Sequence, residues 1–131
     1  EAMTADDVKN SQDDLWIQDE FITYKELGKK LELIGSDDMD GTDCFKLKMT
    51  DKNNQETTYY IDKSDYNIIK SVSKVKADGK EMEVISTYGN YKKTEEGIVF
   101  AMSTTGGYGP MEITKIEVNP KIDETIFQLP K

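Results

Sequence analysis

Apolar residues recur along this chain in two rhythms, and the change falls at Gly28. Before it, Leu15, Trp16, Ile17, Phe21, Ile22, Tyr24 and Leu27 cover more than one helical stripe, the pattern of a helical segment wedged against a sheet. The predicted segment runs from Thr4 to about Leu27. Thr4 followed by Asp7 imitates a capping box with a shorter acid, Asp6 and Asp7 suit the positive end of a helix, and Gly28 is a natural stop. Ser11 followed by Asp14 offers a second start, so one helix and two helices broken near residues 10–14 fit equally well.

From Lys29 the period becomes two, and turn residues return at intervals suited to an antiparallel meander. The expected strands are Lys29–Ser36, Cys44–Thr50, Glu56–Asp62, Ile68–Ala77, Lys80–Lys92, Ile98–Thr105 and Met111–Asn119. Asp40-Gly41, Asn53-Asn54, Asp78-Gly79 and Glu96-Gly97 supply the left-handed positions between them, with Asp78-Gly79 in two-residue hairpin form. Short connections make a sequential up-and-down sheet the simplest topology. In the tail, Asp123 can cap a single turn that brings Ile126 and Phe127 onto the sheet.

The two faces differ. Leu31 and Leu33 alternate with Lys30, Glu32 and Ile34, and Phe45, Leu47 and Met49 alternate with Cys44, Lys46 and Lys48, giving one greasy and one mostly wet face. Elsewhere the contrast fades: Tyr59 and Ile61 oppose Tyr60, and Phe100 and Met102 oppose Val99 and Ala101. The expected class is mainly β within α+β, a curved antiparallel sheet of about seven strands with a helical segment on one face. One helical segment covers only part of such a face, so the sheet curls on itself or another body completes it.

At 131 residues, 33% charged and 36% apolar, the chain fits a single domain: helical segment 4–27, meander 29–119 and closing tail 120–131. Lysine supplies all 17 basic residues against 26 acids, so the net charge is −9, and histidine is absent. That charge argues against nucleic acid and anionic membrane surfaces as partners. Without histidine there is no Ser/His/Asp or Cys/His pair and no imidazole metal ligand, and without arginine there is no bidentate clamp. The expectation is a protein that is not an enzyme and carries no cofactor.

The candidate chemistry is sparse. Cys44 stands alone and reads as a small strand hydrophobe. Asp37-Asp38-Met39-Asp40-Gly41-Thr42-Asp43 clusters carboxylates in the manner of a calcium loop, but counting from Asp38 puts Met49 where the bidentate Glu belongs. An acidic hairpin tip is the expectation, with no metal. Gly106-Gly107-Tyr108-Gly109-Pro110 lacks the helix and Lys-Ser/Thr of a phosphate loop and reads as a hairpin loop, with Tyr108 on the neighbouring strand or gating a cavity. Tyr59, Tyr60, Tyr66, Tyr88 and Tyr91 form no base-stacking platform without a positive groove and read as sheet packing. Trp16 is the strongest anchor, either gluing helix to sheet or lining a cavity. No stretch approaches the length of a membrane span. The chain begins at Glu1 without a signal peptide, and the expectation is a processed or trimmed piece of something longer.

Several runs carry a resemblance. Tyr24-Lys25-Glu26-Leu27-Gly28-Lys29-Lys30-Leu31-Glu32-Leu33-Ile34-Gly35, Asp40-Gly41-Thr42-Asp43-Cys44-Phe45-Lys46-Leu47-Lys48, Thr58-Tyr59-Tyr60-Ile61-Asp62, Ile116-Glu117-Val118-Asn119, Ile122-Asp123 and Phe127-Gln128-Leu129-Pro130 resemble the C-terminal half of outer-membrane lipoprotein-sorting proteins, the LolA-like family. The resemblance implies an unclosed half-barrel whose concave face holds helices and binds lipoprotein acyl chains or other lipids, and a periplasmic or cell-envelope location. On that reading the hydrophobic ligand meets Leu15, Trp16, Ile17, Phe21, Phe45, Leu47, Tyr59 and Phe100. Family members are longer, with N-terminal strands and an arginine that this chain lacks. A second class stays open: an interaction module without a small ligand, pairing or self-associating through exposed strand edges.

Overall fold

The structure, a computed structural model, describes Val8 and residues 18–77, 80–107 and 109–127. Val8 is helical, and a helical turn, α1 (Glu20–Thr23), precedes the strands β1 (Lys30–Met39), β2 (Thr42–Thr50), β3 (Glu56–Asp62), β4 (Ile68–Ala77), β5 (Lys80–Lys93), β6 (Val99–Gly106) and β7 (Gly109–Glu112). A 3₁₀ turn follows at Glu124–Phe127. The strands form one unclosed, curved sheet in sequential order β1-β2-β3-β4-β5-β6-β7, every neighbour antiparallel.

Local chemistry sets the ends of α1. Asp19 caps it, its Oδ1 accepting Phe21 N at 2.8 Å. Beyond it, Gly28 N reaches Lys25 O at 3.1 Å and Lys29 N reaches Tyr24 O at 2.7 Å, with Gly28 at φ 69. This is a Schellman closure, which satisfies carbonyls that the ended helix leaves free. The described helical residues, Val8 and Glu20–Thr23, lie inside the Thr4–Leu27 segment read from the sequence, whose capping residues Thr4, Asp6, Asp7, Ser11 and Asp14 fall outside the described residues.

The turns follow their residues. Met39 pairs with Thr42 across Asp40 (φ 54) and Gly41 (φ 88), both left-handed as a type I′ hairpin requires. Ala77 pairs with Lys80, so β4 and β5 join through two residues, although Asp78 and Gly79 themselves are outside the described set. Asp62 ties the β3–β4 turn by accepting Ser64 N and Ser64 Oγ, each at 2.7 Å.

Two expectations are corrected. The last strand ends at Glu112 rather than Asn119: Ile113 N still donates to Met102 O at 2.7 Å, after which the chain leaves the ladder. The following residues Thr114–Val118 lie near Met102 and Lys92–Glu96 outside the ladder, because alternation such as that of Ile116 and Val118 does not by itself require a paired strand. In the tail, Asp123 Oδ1 does accept Thr125 N at 3.0 Å, yet Ile126 is 67% and Phe127 75% exposed, so the turn forms without seating them on the sheet.

The core is thin. Cys44, Met49, Tyr59 and Met102 are its buried hydrophobic members among the described residues, joined by Thr23 and Ser71.

Candidate functional site

The helical turn docks on one face of the sheet through Tyr59. The Phe21 and Tyr59 rings meet edge to face at 4.8 Å and 70°, an arrangement favoured by the aromatic quadrupole. Tyr59 Oη donates to Glu20 Oε1, and Lys29 Nζ donates to Glu20 Oε2 at 3.0 Å. Burial, then the hydrogen bond to Glu20, then that carboxylate's charge push the Tyr59 pKa well above the usual phenol range.

Register defines what shares this face. The row Leu33, Leu47, Tyr59, Ser71 and Ser86 crosses β1 to β5 through direct cross-strand pairs, and Leu31, Met49, Thr57, Ser73 and Val84 make the row beside it. Tyr88 joins them, its hydroxyl 3.3 Å from Ser71 Oγ, and its partner Thr104 continues the face onto β6 and to Met111 on β7. Side chains are large beneath α1 and small beyond it. The shrinkage leaves a cleft of about 720 Å³ lined by Val84, Ser86, Thr104, Gly106, Gly107, Gly109, Pro110 and Met111. Its walls are hydrocarbon and its polar side-chain atoms are two hydroxyls, so it offers dispersion and burial rather than charge.

The opposite face is polar and aromatic. Lys46, Tyr60, Lys70 and Thr87 form a cross-strand row, with Lys46 and Lys70 Nζ each 5.3 Å from the Tyr60 ring centroid. Lys48 lies between Glu32 at 3.2 Å and Glu56 at 3.4 Å. The greasy and wet alternation thus holds on β1 to β3. It weakens on β4 and β5, where Ser71 and Ser73 share the helix-bearing face while Val72 and Ile85 pair on the other.

The acidic tip spends its carboxylates on the fold. Asp38 Oδ1 accepts Gly41 N at 2.9 Å, Asp37 pairs with Lys46 at 3.2 Å, and Asp43 pairs with Lys63 at 2.8 Å. Among the described residues no group of Cys and carboxylates is arranged to hold a metal ion, and no helix is long and apolar enough to cross a membrane. Cys44 is fully covered, and burial followed by the charges of Asp62, Asp43, Asp38 and Asp37 raises its thiol pKa. A thiol so placed is a poor nucleophile.

The sequence-derived ligand residues fall in different places. Leu15, Trp16 and Ile17 lie outside the described residues, as does Tyr108. Phe21 and Tyr59 touch, and Leu47 sits beside Tyr59 in the register. Phe45 shares their face but stacks on Tyr66 at 6.5 Å, with Lys63 Nζ 5.2 Å from its ring centroid. Phe100, on β6, pairs with Lys92 of β5 and makes no ring contact with the others. The cleft residues Val84, Ser86, Thr104, Gly106 and Met111 are not among the ligand residues that the sequence indicates, because bulky apolar side chains carry that signal and the cleft opens where side chains are small. The available signal was Ser, Thr and Gly at alternate positions of adjoining strands: 71 and 73, 86, 104 and 106.

No family model and no curated protein sequence matches the chain. Its structure is similar to a crystal structure from Vibrio parahaemolyticus described as an outer membrane lipoprotein-sorting protein domain, with a TM-score of 0.56 and 18% identity over 74% of this chain. The match covers 45% of that structure, so the chain corresponds to less than half of its length. In fold, the chain is an unclosed antiparallel half-barrel like the one in that lipoprotein-sorting domain.

Proposed function

We propose that this chain is a non-enzymatic binding module of the cell envelope or periplasm that holds apolar ligands, acyl chains of lipoproteins or other lipids, on the sheet face that carries α1. The observation that carries the reading is the open cleft of about 720 Å³ on that face, walled by Val84, Pro110 and Met111. Hydrocarbon entering it leaves water at roughly 0.8 kcal/mol per buried methylene. The fold likeness to a lipoprotein-sorting domain supports the same ligand class. Phe21, Leu47 and Tyr59 extend the apolar surface beyond the cleft, and Leu15, Trp16, Ile17, Phe45 and Phe100 remain candidate contacts.

Mass spectrometry of organic extracts from the purified protein tests this, together with displacement of a fluorescent fatty acid by unlabelled lipid. Co-purified acyl lipids and saturable displacement are expected. Clean extracts with no displacement contradict it.

A second reading rests on β1, a ten-residue strand with one neighbour among the described residues, on which Leu33 and Ile34 are exposed. Free edge groups template pairing, so the chain self-associates or adds a partner strand there. The bulge between Leu33 and Gly35 limits how much of this edge pairs. Sedimentation velocity across a concentration series decides: association lost on Leu33→Lys supports the reading, and a monomer at every concentration refutes it.

A further inference from the structure

Gly106 is a glycine without a backbone reason to be one. It ends β6 with φ outside the positive region, unlike Gly41, Gly97 and Gly109, so any residue could adopt its conformation. Glycine in a strand costs backbone entropy and gives up packing, and commonly marks the close approach of something else. A Cβ built at 106 meets Ser86 Oγ at 3.0 Å, while its next contact, Ser86 Cβ, is ordinary at 3.8 Å. The crowded atom is the tip of a rotatable hydroxyl, so the sheet accommodates a side chain here at small cost. The fold therefore does not require the glycine, yet its missing side chain leaves the floor of the cleft at backbone level.

We infer that Gly106, with Ser86 beside it, sets how deeply hydrocarbon enters the cleft between β5 and β7 and so selects long acyl chains over short ones. This rests on the lipid-binding reading above. In the row Leu33, Leu47, Tyr59, Ser71 and Ser86 the side chains fall from isobutyl and phenol to hydroxymethyl, and Gly106 beside Ser86 continues the fall to hydrogen. Val84 and Met111 stand on either side as walls. A side chain added at 106 raises the floor and returns part of the guest chain to water.

The test measures palmitate and decanoate binding by displacement of a fluorescent fatty acid from the intact chain, with the thermal midpoint followed in parallel. Gly106→Val is expected to weaken palmitate about tenfold, the factor for roughly two methylenes left in water, and to change decanoate less. Gly106→Ala gives a smaller loss and serves if the valine variant does not fold. Gly89→Ala is the matched control: its Cβ meets Ser103 Oγ at 3.3 Å, the same kind of crowding, but Gly89 follows Tyr88 on β5 and so faces the other side of the sheet. It leaves both affinities unchanged. Palmitate bound equally by wild type and both Gly106 variants overturns the inference and leaves the lipid-binding reading standing. An equal loss from Gly89→Ala overturns it in favour of general strain in the sheet. A wild-type chain that binds neither fatty acid removes the reading and the inference together.

Discussion

Tyr59 on β3 and Glu20 on α1 are joined through a hydroxyl and a carboxylate oxygen, and the carboxylate's second oxygen takes Lys29 just after the Schellman closure. One carboxylate thus pins both ends of a helical segment to a strand far away in sequence. Tyr59→Phe keeps the ring contact with Phe21 and removes only the donor. The loss expected is about 1.5 to 3 kcal/mol, the range for a hydrogen bond to a charged group, read as a lower urea midpoint with unchanged slope. Tyr59→Ala also leaves a cavity and costs more, roughly 3 to 5 kcal/mol.

The raised pKa of Tyr59 makes stability fall at alkaline pH. An unfolded tyrosine releases its proton near about pH 10, whereas the buried one keeps it to higher pH, so the folded state binds more protons there. Its contribution is complete below about pH 10 and is lost as pH rises beyond it. Tyr91, whose pKa is raised by burial and then by the charges of Tyr88 and Asp65, acts with the same sign. Urea midpoints measured upward from pH 9 should fall in wild type and fall less steeply in Tyr59→Phe. Parallel slopes for the two proteins would separate the alkaline loss from Tyr59.

Cys44 should be silent in the folded protein. Its side chain is covered, and nearby carboxylates oppose the thiolate. Labelling by iodoacetamide at pH 8 is expected to track global unfolding, rising at the urea midpoint. Fast labelling of the native chain would mean that the β2 end opens on its own.

The elements legible in the sequence were those whose information is local. Glu56–Asp62 and Ile68–Ala77 have the bounds that their alternation and flanking turn residues indicate, and Asp40-Gly41 forms the turn its residues favour. Where the pairing of the last strand stops was not legible. Nothing local distinguishes Met111–Glu112, which pair with β6, from Ile116 and Val118, which alternate just as well and pair with nothing in the ladder. The apolar face followed from Leu31, Leu33, Phe45, Leu47 and Met49, but the cleft at its far side depends on which small residues the register sets side by side. Ser86 and Gly106 become neighbours only once β5 and β6 are paired.

The central claim is that hydrocarbon binds the α1-bearing face over β5 to β7, and photolabelling tests it most directly. A fatty acid with a photoactivatable group near its methyl end, bound to the intact chain, irradiated and mapped by peptide mass spectrometry, is predicted to mark Val84, Thr104 or Met111 and to be displaced by palmitate. Adducts on the Lys46, Tyr60 and Lys70 face, or labelling that excess palmitate leaves unchanged, would contradict the account.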